Sequence, residues 1–154
     1  MNTRKSSVTT VDGGETRRLR LLLVDDVQSC RKMLSRLLAS ELCECTEAKD
    51  GLEAVTLVKK SMELQEPFDG IFMDSSMPNL DGGGATSLIR EAGYTRMIYG
   101  VTGNALSDDV AAFLAKGADA IYIKPLRKAD LQHMLKGTDL VTVYVLTLFD
   151  LTIN

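Results

Sequence analysis

Five short apolar runs divide this chain, and a segment with helical spacing follows each of them. The runs are LRLLLVDD (19–26), CECTEA (Cys43–Ala48), FDGIFMD (68–74), MIYGVT (Met97–Thr102) and AIYIK (120–124). The first is apolar throughout until two aspartates close it, which suits a strand buried on both faces. Between the runs, apolar residues recur every three or four positions. Val27, Cys30, Met33, Leu34, Leu37 and Leu38 make one such face, and Leu52, Val55, Val58 and Met62 a second. Ala85, Leu88 and Ile89 make a third, Val110, Phe113 and Leu114 a fourth, and a last helix is expected over Lys128–Leu135. Strand and helix alternate five times with short links, so the chain is expected to be α/β. A single doubly wound domain with a parallel sheet and helices on both faces is the consistent architecture.

Punctuation agrees with this division. Lys49-Asp50-Gly51 reads as a turn, and Pro67 stops the second helix. Ser107-Asp108-Asp109 offers the fourth helix a cap and first-turn acids, and Gly117 offers it a stop. The triplet Gly82-Gly83-Gly84 softens the start of the third helix, at up to ~1 kcal/mol per interior glycine relative to alanine. Residues 1–18 lack the apolar core of a signal peptide and read as a flexible lead. Residues 19–136 carry the domain. Residues 137–154 are β-prone, too short for a membrane span or an output domain, and of no assigned role.

Composition narrows the partners. The chain has 154 residues, a net charge of -3 and a pI of about 5.2. A generic basic surface for DNA or anionic lipid is not expected. Three cysteines, Cys30, Cys43 and Cys45, follow no framework spacing and suit a reduced compartment, cytoplasmic or nuclear. Cys43 and Cys45 share one strand face and read as apolar filler rather than metal ligands.

In parallel sheets of this kind, ligands sit at the carboxyl ends of the strands. Those ends carry Asp25 and Asp26, Asp74, Thr102 and Lys124. Clustered carboxylates raise one another's proton affinity, and a hard divalent cation removes the conflict. An ammonium and a hydroxyl suit an anion beside that cation. A site wanting both Mg²⁺ and a phosphoryl group is a phosphoryl-transfer site. No P-loop pattern offers to hold a nucleotide. An ionised aspartate needs no general base to act as nucleophile. Asp74, alone at mid-sheet, is the candidate acceptor, and Asp25 and Asp26 are the candidate metal holders.

The motifs VDD, MDSSMPNLDG, VTGNAL and GADAIYIKPL, in this order and over about 19–135, resemble those of a response-regulator receiver domain of the hybrid-histidine-kinase and phosphorelay type. The resemblance implies a flavodoxin-like sheet in the order 2-1-3-4-5. It implies that Asp74 takes a phosphoryl group from the phosphohistidine of a kinase or phosphotransfer protein. It further implies that Mg²⁺ is held by Asp25, Asp26, Asp74 and the backbone carbonyl of Ser76, and that Thr102 and Lys124 bind the phosphoryl oxygens. A downstream protein partner is implied, with no direct DNA binding, no membrane and no enzymatic turnover beyond the domain's own phosphorylation chemistry.

The chain departs from the family at Ile121, where an aromatic ring usually swings inward as the threonine moves. Tyr122 is adjacent but belongs to the opposite strand face. Ser76 stands where an amide or acid is frequent, and its short side chain is less able to orient a water. Two other readings stand beside the first. A pseudo-receiver scaffold would use the fold without chemistry, although such domains usually lose the acceptor or the lysine. A haloacid-dehalogenase-type phosphatase would need a second aspartate at position 76. His133 lacks a phosphodonor context and reads as a surface helix residue.

Overall fold

The structure, a computed structural model, describes residues 10–12, 15–39, 43–104 and 106–135. Within the expected lead, β1 (Thr10–Asp12) and β2 (Glu15–Arg17) pair antiparallel. Strands β3 (Leu19–Val24), β4 (Cys43–Ala48), β5 (Gly70–Asp74), β6 (Met97–Thr102) and β7 (Ala120–Ile123) follow. Between and after them lie α1 (Gln28–Ala39), α2 (Gly51–Glu63), α3 (Gly82–Glu91), α4 (Ser107–Ala115) and α5 (Lys128–Leu135). The expected tail, 137–154, lies outside the described residues.

The five later strands form one parallel sheet in the order β4-β3-β5-β6-β7. Counted along the chain, this is 2-1-3-4-5, as the resemblance implied. The first, third and fifth runs overreach as strands: β3 stops at Val24, β5 begins only at Gly70 and β7 stops at Ile123, before Lys124. Asp25 and Asp26 therefore sit in the turn beyond β3 rather than within it.

Alternate strand residues feed two cores. Leu22, Ile71, Ile98 and Ile121 pack with Val58, Ile89 and Phe113 of α2, α3 and α4. Leu21, Leu23, Phe72, Tyr99 and Tyr122 pack with Leu38 of α1 and Leu131 and Met134 of α5. Ile121 and Tyr122 thus take opposite faces, as strand alternation required. Cys43 is buried on the α1 side and Cys45 packs beside it. Burial of each large side chain in these layers contributes roughly 1.5–3 kcal/mol.

Local chemistry sets the helix ends. Asp50 is not part of a free turn; it caps α2, accepting the Glu53 N–H at 2.8 Å. Asp81 caps α3 by accepting from the Gly84 N–H at 2.7 Å. Past α4, Gly117 takes φ +115, a conformation that favours glycine, and ends the helix. His133, expected at the surface, is half-buried in the last turn of α5.

Candidate phosphoacceptor site

After β3 the chain crosses to β4 on one side, then returns to β5 on the other. This reversal opens a crevice at the carboxyl ends of β3 and β5. Asp25 and Asp26 rim it from the β3 turn, and Asp74, the last residue of β5, stands across from them. One carboxylate oxygen from each of the three lies within 4.8 Å of the others. Asp74 is 5% exposed, Asp25 is half-buried and Asp26 is open to solvent.

Lys124 follows β7 and reaches back over the sheet end. Its Nζ lies 3.0 Å from Asp74 Oδ1 and 3.1 Å from Asp25 Oδ2. Burial pushes the Asp74 carboxyl above its usual range; the Lys124 hydrogen bond opposes this and the Asp25 charge adds to it. Burial would depress Lys124, but its hydrogen bonds to Asp74 and Asp25 outweigh that and raise it. The Lys124 direction describes an ammonium held between two carboxylates, while the Asp74 direction records its burial beside Asp25.

The backbone around Asp74 is fixed on two sides. The Ser75 N–H donates to the Val101 carbonyl at 2.9 Å, and the Gly82 N–H donates to the Ser75 carbonyl at 3.0 Å. A Cβ on Gly82 would sit 2.1 Å from the Asp74 carbonyl oxygen, so the start of α3 meets the Asp74 backbone where only glycine fits. Gly82 is therefore more than a softened helix start. Asp25 is oriented in turn: its Oδ1 accepts the Val27 N–H at 2.8 Å, and Arg31 donates to its carbonyl at 2.6 Å. Arg31 also pairs with Glu47 at 3.3 Å.

Thr102 ends β6 one residue past the Val101 partner of Asp74. Its hydroxyl accepts the Asn104 N–H at 3.1 Å and donates to the Asn104 carbonyl at 3.3 Å. Ser76 is exposed two residues after Asp74. A groove of about 410 Å³ runs from Ser76 and Thr102 past Asn104 to Phe113, Lys116 and Ile121. On the α1 side, a more apolar cavity of about 310 Å³ is lined by Leu23, Met33, Leu34 and Phe72 and touches Asp74 and Lys124. The structure thus brings Asp25, Asp26, Asp74, Thr102 and Lys124 to one edge, with Ser76 on its rim.

The expected cap of α4 is displaced by one residue. Leu106 is the N-cap and Ser107 is already helical, although Asp108 and Asp109 do occupy the first turn. Asn104 braces the turn just before it: its Oδ1 accepts the Leu106 N–H at 3.1 Å and its Nδ2 donates to Asp109 Oδ2 at 2.9 Å. Arg31 and Asn104 have no site role in the sequence reading, although Asn104 lies within the VTGNAL motif, and Gly82 is read there only as a softened helix start; the structure adds their contacts to the site.

The donor set fits a hard divalent cation. Three carboxylates converge, and exposed Asp26 leaves room for retained water, which Mg²⁺ prefers to keep.

Comparison with known proteins agrees with this geometry. Residues 21–136 match the family described as "Response regulator receiver domain". Over 115 residues the chain is 36% identical to transcription factor SKN7 of Candida albicans, covering 75% of this chain and 20% of that protein. It is also 34% identical over 115 residues to the sensor histidine kinase RcsC of Salmonella typhi, covering 75% of this chain and 12% of that protein. The chain thus spans a fifth or less of these two relatives. Among solved structures, it is similar to the receiver domain of the histidine kinase CKI1 from Arabidopsis thaliana complexed with Mg²⁺. The TM-score there is 0.69 at 31% identity, covering 76% of this chain and 91% of that one. Among the described residues, no helix is long and apolar enough to cross a membrane.

Proposed function

The chain belongs to the response regulator receiver family, and we propose that it works there as a phosphoacceptor, with Asp74 taking a phosphoryl group from a phosphohistidine. One observation carries the reading: a buried carboxylate ends the central strand at the switch point, 3.0 Å from an ammonium and beside two further carboxylates.

In the transfer, a carboxylate oxygen of Asp74 attacks phosphorus. A P–O bond forms, the P–N bond to the donor imidazole breaks, and the imidazole leaves with the electron pair. Asp25, Asp26, Asp74 and the Ser76 backbone carbonyl would hold Mg²⁺. When bound, the ion supplies positive charge against the phosphoryl oxygens. Lys124 stands ready as a second counter-charge, and Thr102 brings a hydroxyl donor. The domain's own residues position and neutralise, which is most of what phosphoryl transfer asks of a protein.

The donor is a histidine kinase or a histidine phosphotransfer protein, and the product state acts by contact with a downstream protein. Receiver domains within histidine kinases and within SKN7-type proteins among the relatives support this. We place the protein in the cytoplasm or nucleus, without direct contact to DNA. Ser76 offers a short hydroxyl beside the acceptor, so the aspartyl phosphate outlives that of an amide-bearing variant and returns more readily to histidine.

The test is transfer of labelled phosphate from a panel of autophosphorylated kinases and phosphotransfer proteins, with Mg²⁺. Label should move to the wild type and not to Asp74→Asn. Transfer to both proteins alike would place the acceptor elsewhere.

A further inference from the structure

Asp25 is held at each of its polar groups. Its N–H donates to the Ala48 carbonyl of β4 at 3.2 Å, one step past the end of β3. Its carbonyl accepts from Arg31 at 2.6 Å. Its carboxylate accepts the Val27 N–H on Oδ1 at 2.8 Å and the Lys124 ammonium on Oδ2 at 3.1 Å. Asp26, its neighbour in the acidic cluster, is exposed. Among the described residues, no hydrogen bond or ion pair holds the Asp26 carboxylate. The direction of that carboxylate is therefore set by the backbone that carries it.

The Asp25 carbonyl belongs to the peptide unit that joins Asp25 to Asp26. That unit is planar, so holding its oxygen also holds the start of Asp26. The holder, Arg31, sits in the first turn of α1, where its own N–H donates to the Val27 carbonyl at 3.2 Å. Its side chain is only 13% exposed, and its Nε meets Glu47 Oε1 of β4 at 3.3 Å. Lys32 meets the other oxygen of Glu47, also at 3.3 Å. Glu47 precedes Ala48, so the contacts close a ring. It runs from the Asp25 N–H to Ala48, along the chain to Glu47, across to Arg31 and back to the Asp25 carbonyl. A planar guanidinium bridges two acceptors in fixed geometry, which an ammonium does not.

We propose that Arg31 is a positioning residue for the divalent cation and acts through Asp26. It fixes the peptide between residues 25 and 26, so that the Asp26 carboxylate stands with Asp25 and Asp74 before an ion arrives. The inference rests on the Mg²⁺-dependent reading of the site given above. Charge and position carry opposite signs here. Removing a positive charge beside three carboxylates would by itself tighten cation binding. Losing the hold on the peptide weakens it, because the ion must then order Asp26 itself. Asp25 keeps both of its carboxylate bonds without Arg31, so the loss falls on Asp26.

The experiment measures Mg²⁺ affinity of the full chain from amide chemical shifts, at one ionic strength. The proteins are the wild type, Arg31→Ala, Asp26→Ala and the double variant, and the same spectra report that each is folded. Arg31→Ala should bind Mg²⁺ about tenfold more weakly, the scale of losing a group that supports a metal ligand. In the Asp26→Ala background the same substitution should change affinity by no more than about twofold, since the residue it acts through is gone. Arg31→Lys cannot span the carbonyl and Glu47 with one planar group, so it should lose about threefold, and only while Asp26 is present. That variant carries the test if Arg31→Ala does not fold. Unchanged or tighter binding in Arg31→Ala overturns the proposal. So does a tenfold loss that persists without Asp26, which would place the action of Arg31 on Asp25 or on the whole fold. A wild type that binds no Mg²⁺, or binds it equally well as Asp26→Ala, defeats the cation reading, and this inference with it; the single Asp26→Ala comparison separates that failure from the others.

Discussion

Lys124 Nζ sits 3.0 Å from Asp74 Oδ1, bridging the ends of β7 and β5 across the intervening strand. The same ammonium meets Asp25 at 3.1 Å. In this arrangement Lys124 already neutralises the carboxylates that would hold a metal ion. Removing it leaves more negative charge for Mg²⁺ to satisfy. Lys124→Ala should therefore bind Mg²⁺ more tightly, by about tenfold or ~1.4 kcal/mol. The lysine is 34% exposed, so solvent screens part of its charge and holds the gain to that scale. Calorimetric or fluorescence titration of both proteins decides it, and weaker binding in the variant would mean that Lys124 orders the site rather than competes for it.

Two neighbouring glycines should respond oppositely to alanine. At Gly82 the added Cβ would lie 2.1 Å from the Asp74 carbonyl oxygen, which is backbone and cannot step aside. Gly82→Ala should cost roughly 2–3 kcal/mol and slow phosphorylation, since the acceptor loop must move. At Gly83 the nearest atom is Lys116 Cγ at 3.4 Å, an ordinary contact with a flexible side chain. Gly83→Ala should be neutral or stabilise by up to ~1 kcal/mol. Denaturant melts of the two variants test the contrast; equal losses would contradict it.

Cys45 should be a slow thiol. Burial, reinforced by Cys43 and then Glu47 and Glu44, pushes it up to about 12. At pH 8 only about one molecule in ten thousand then carries the reactive thiolate there. Peptide mapping after iodoacetamide treatment of the native protein should find Cys45 unmodified, and modified once the chain is unfolded. The sign for stability follows from the raised value. The native state favours the protonated thiol, so its contribution is complete below the unfolded thiol's range and is lost as pH rises toward 12. Rapid native labelling at pH 8 would show that the thiol is not buried as described.

The gross fold was legible because it depends on pattern. Apolar runs of strand length, spaced by helical faces, leave few architectures, and the strand-end residues Asp74, Thr102 and Lys124 are tied to those runs. Ile121 and Tyr122 were separable by alternation alone. What sequence could not show were contacts made across elements. Gly82 looks like a helix-start weakness until the Asp74 carbonyl is found against it. Ser107 has the right chemistry for a cap, yet α4 already includes it and Leu106 stands at the N-cap, while the Asn104 side chain braces the turn by accepting the Leu106 N–H and donating to Asp109. Arg31 reads as one more helix charge until β3 and β4 bring the Asp25 carbonyl and Glu47 to it. Pairing of β1 with β2 had no signal strong enough to separate it from a flexible lead.

The central claim is that Asp74 is the phosphoacceptor. Its most direct test is intact-protein mass after incubation with acetyl phosphate and Mg²⁺, run in parallel on the wild type and Asp74→Asn. The neutral amide lacks the carboxylate's nucleophilic oxygen while keeping its size. The account predicts a gain of one phosphoryl group in the wild type, dependent on Mg²⁺, and none in Asp74→Asn. Equal gain in both proteins, or none in the wild type with Mg²⁺ present, would contradict it.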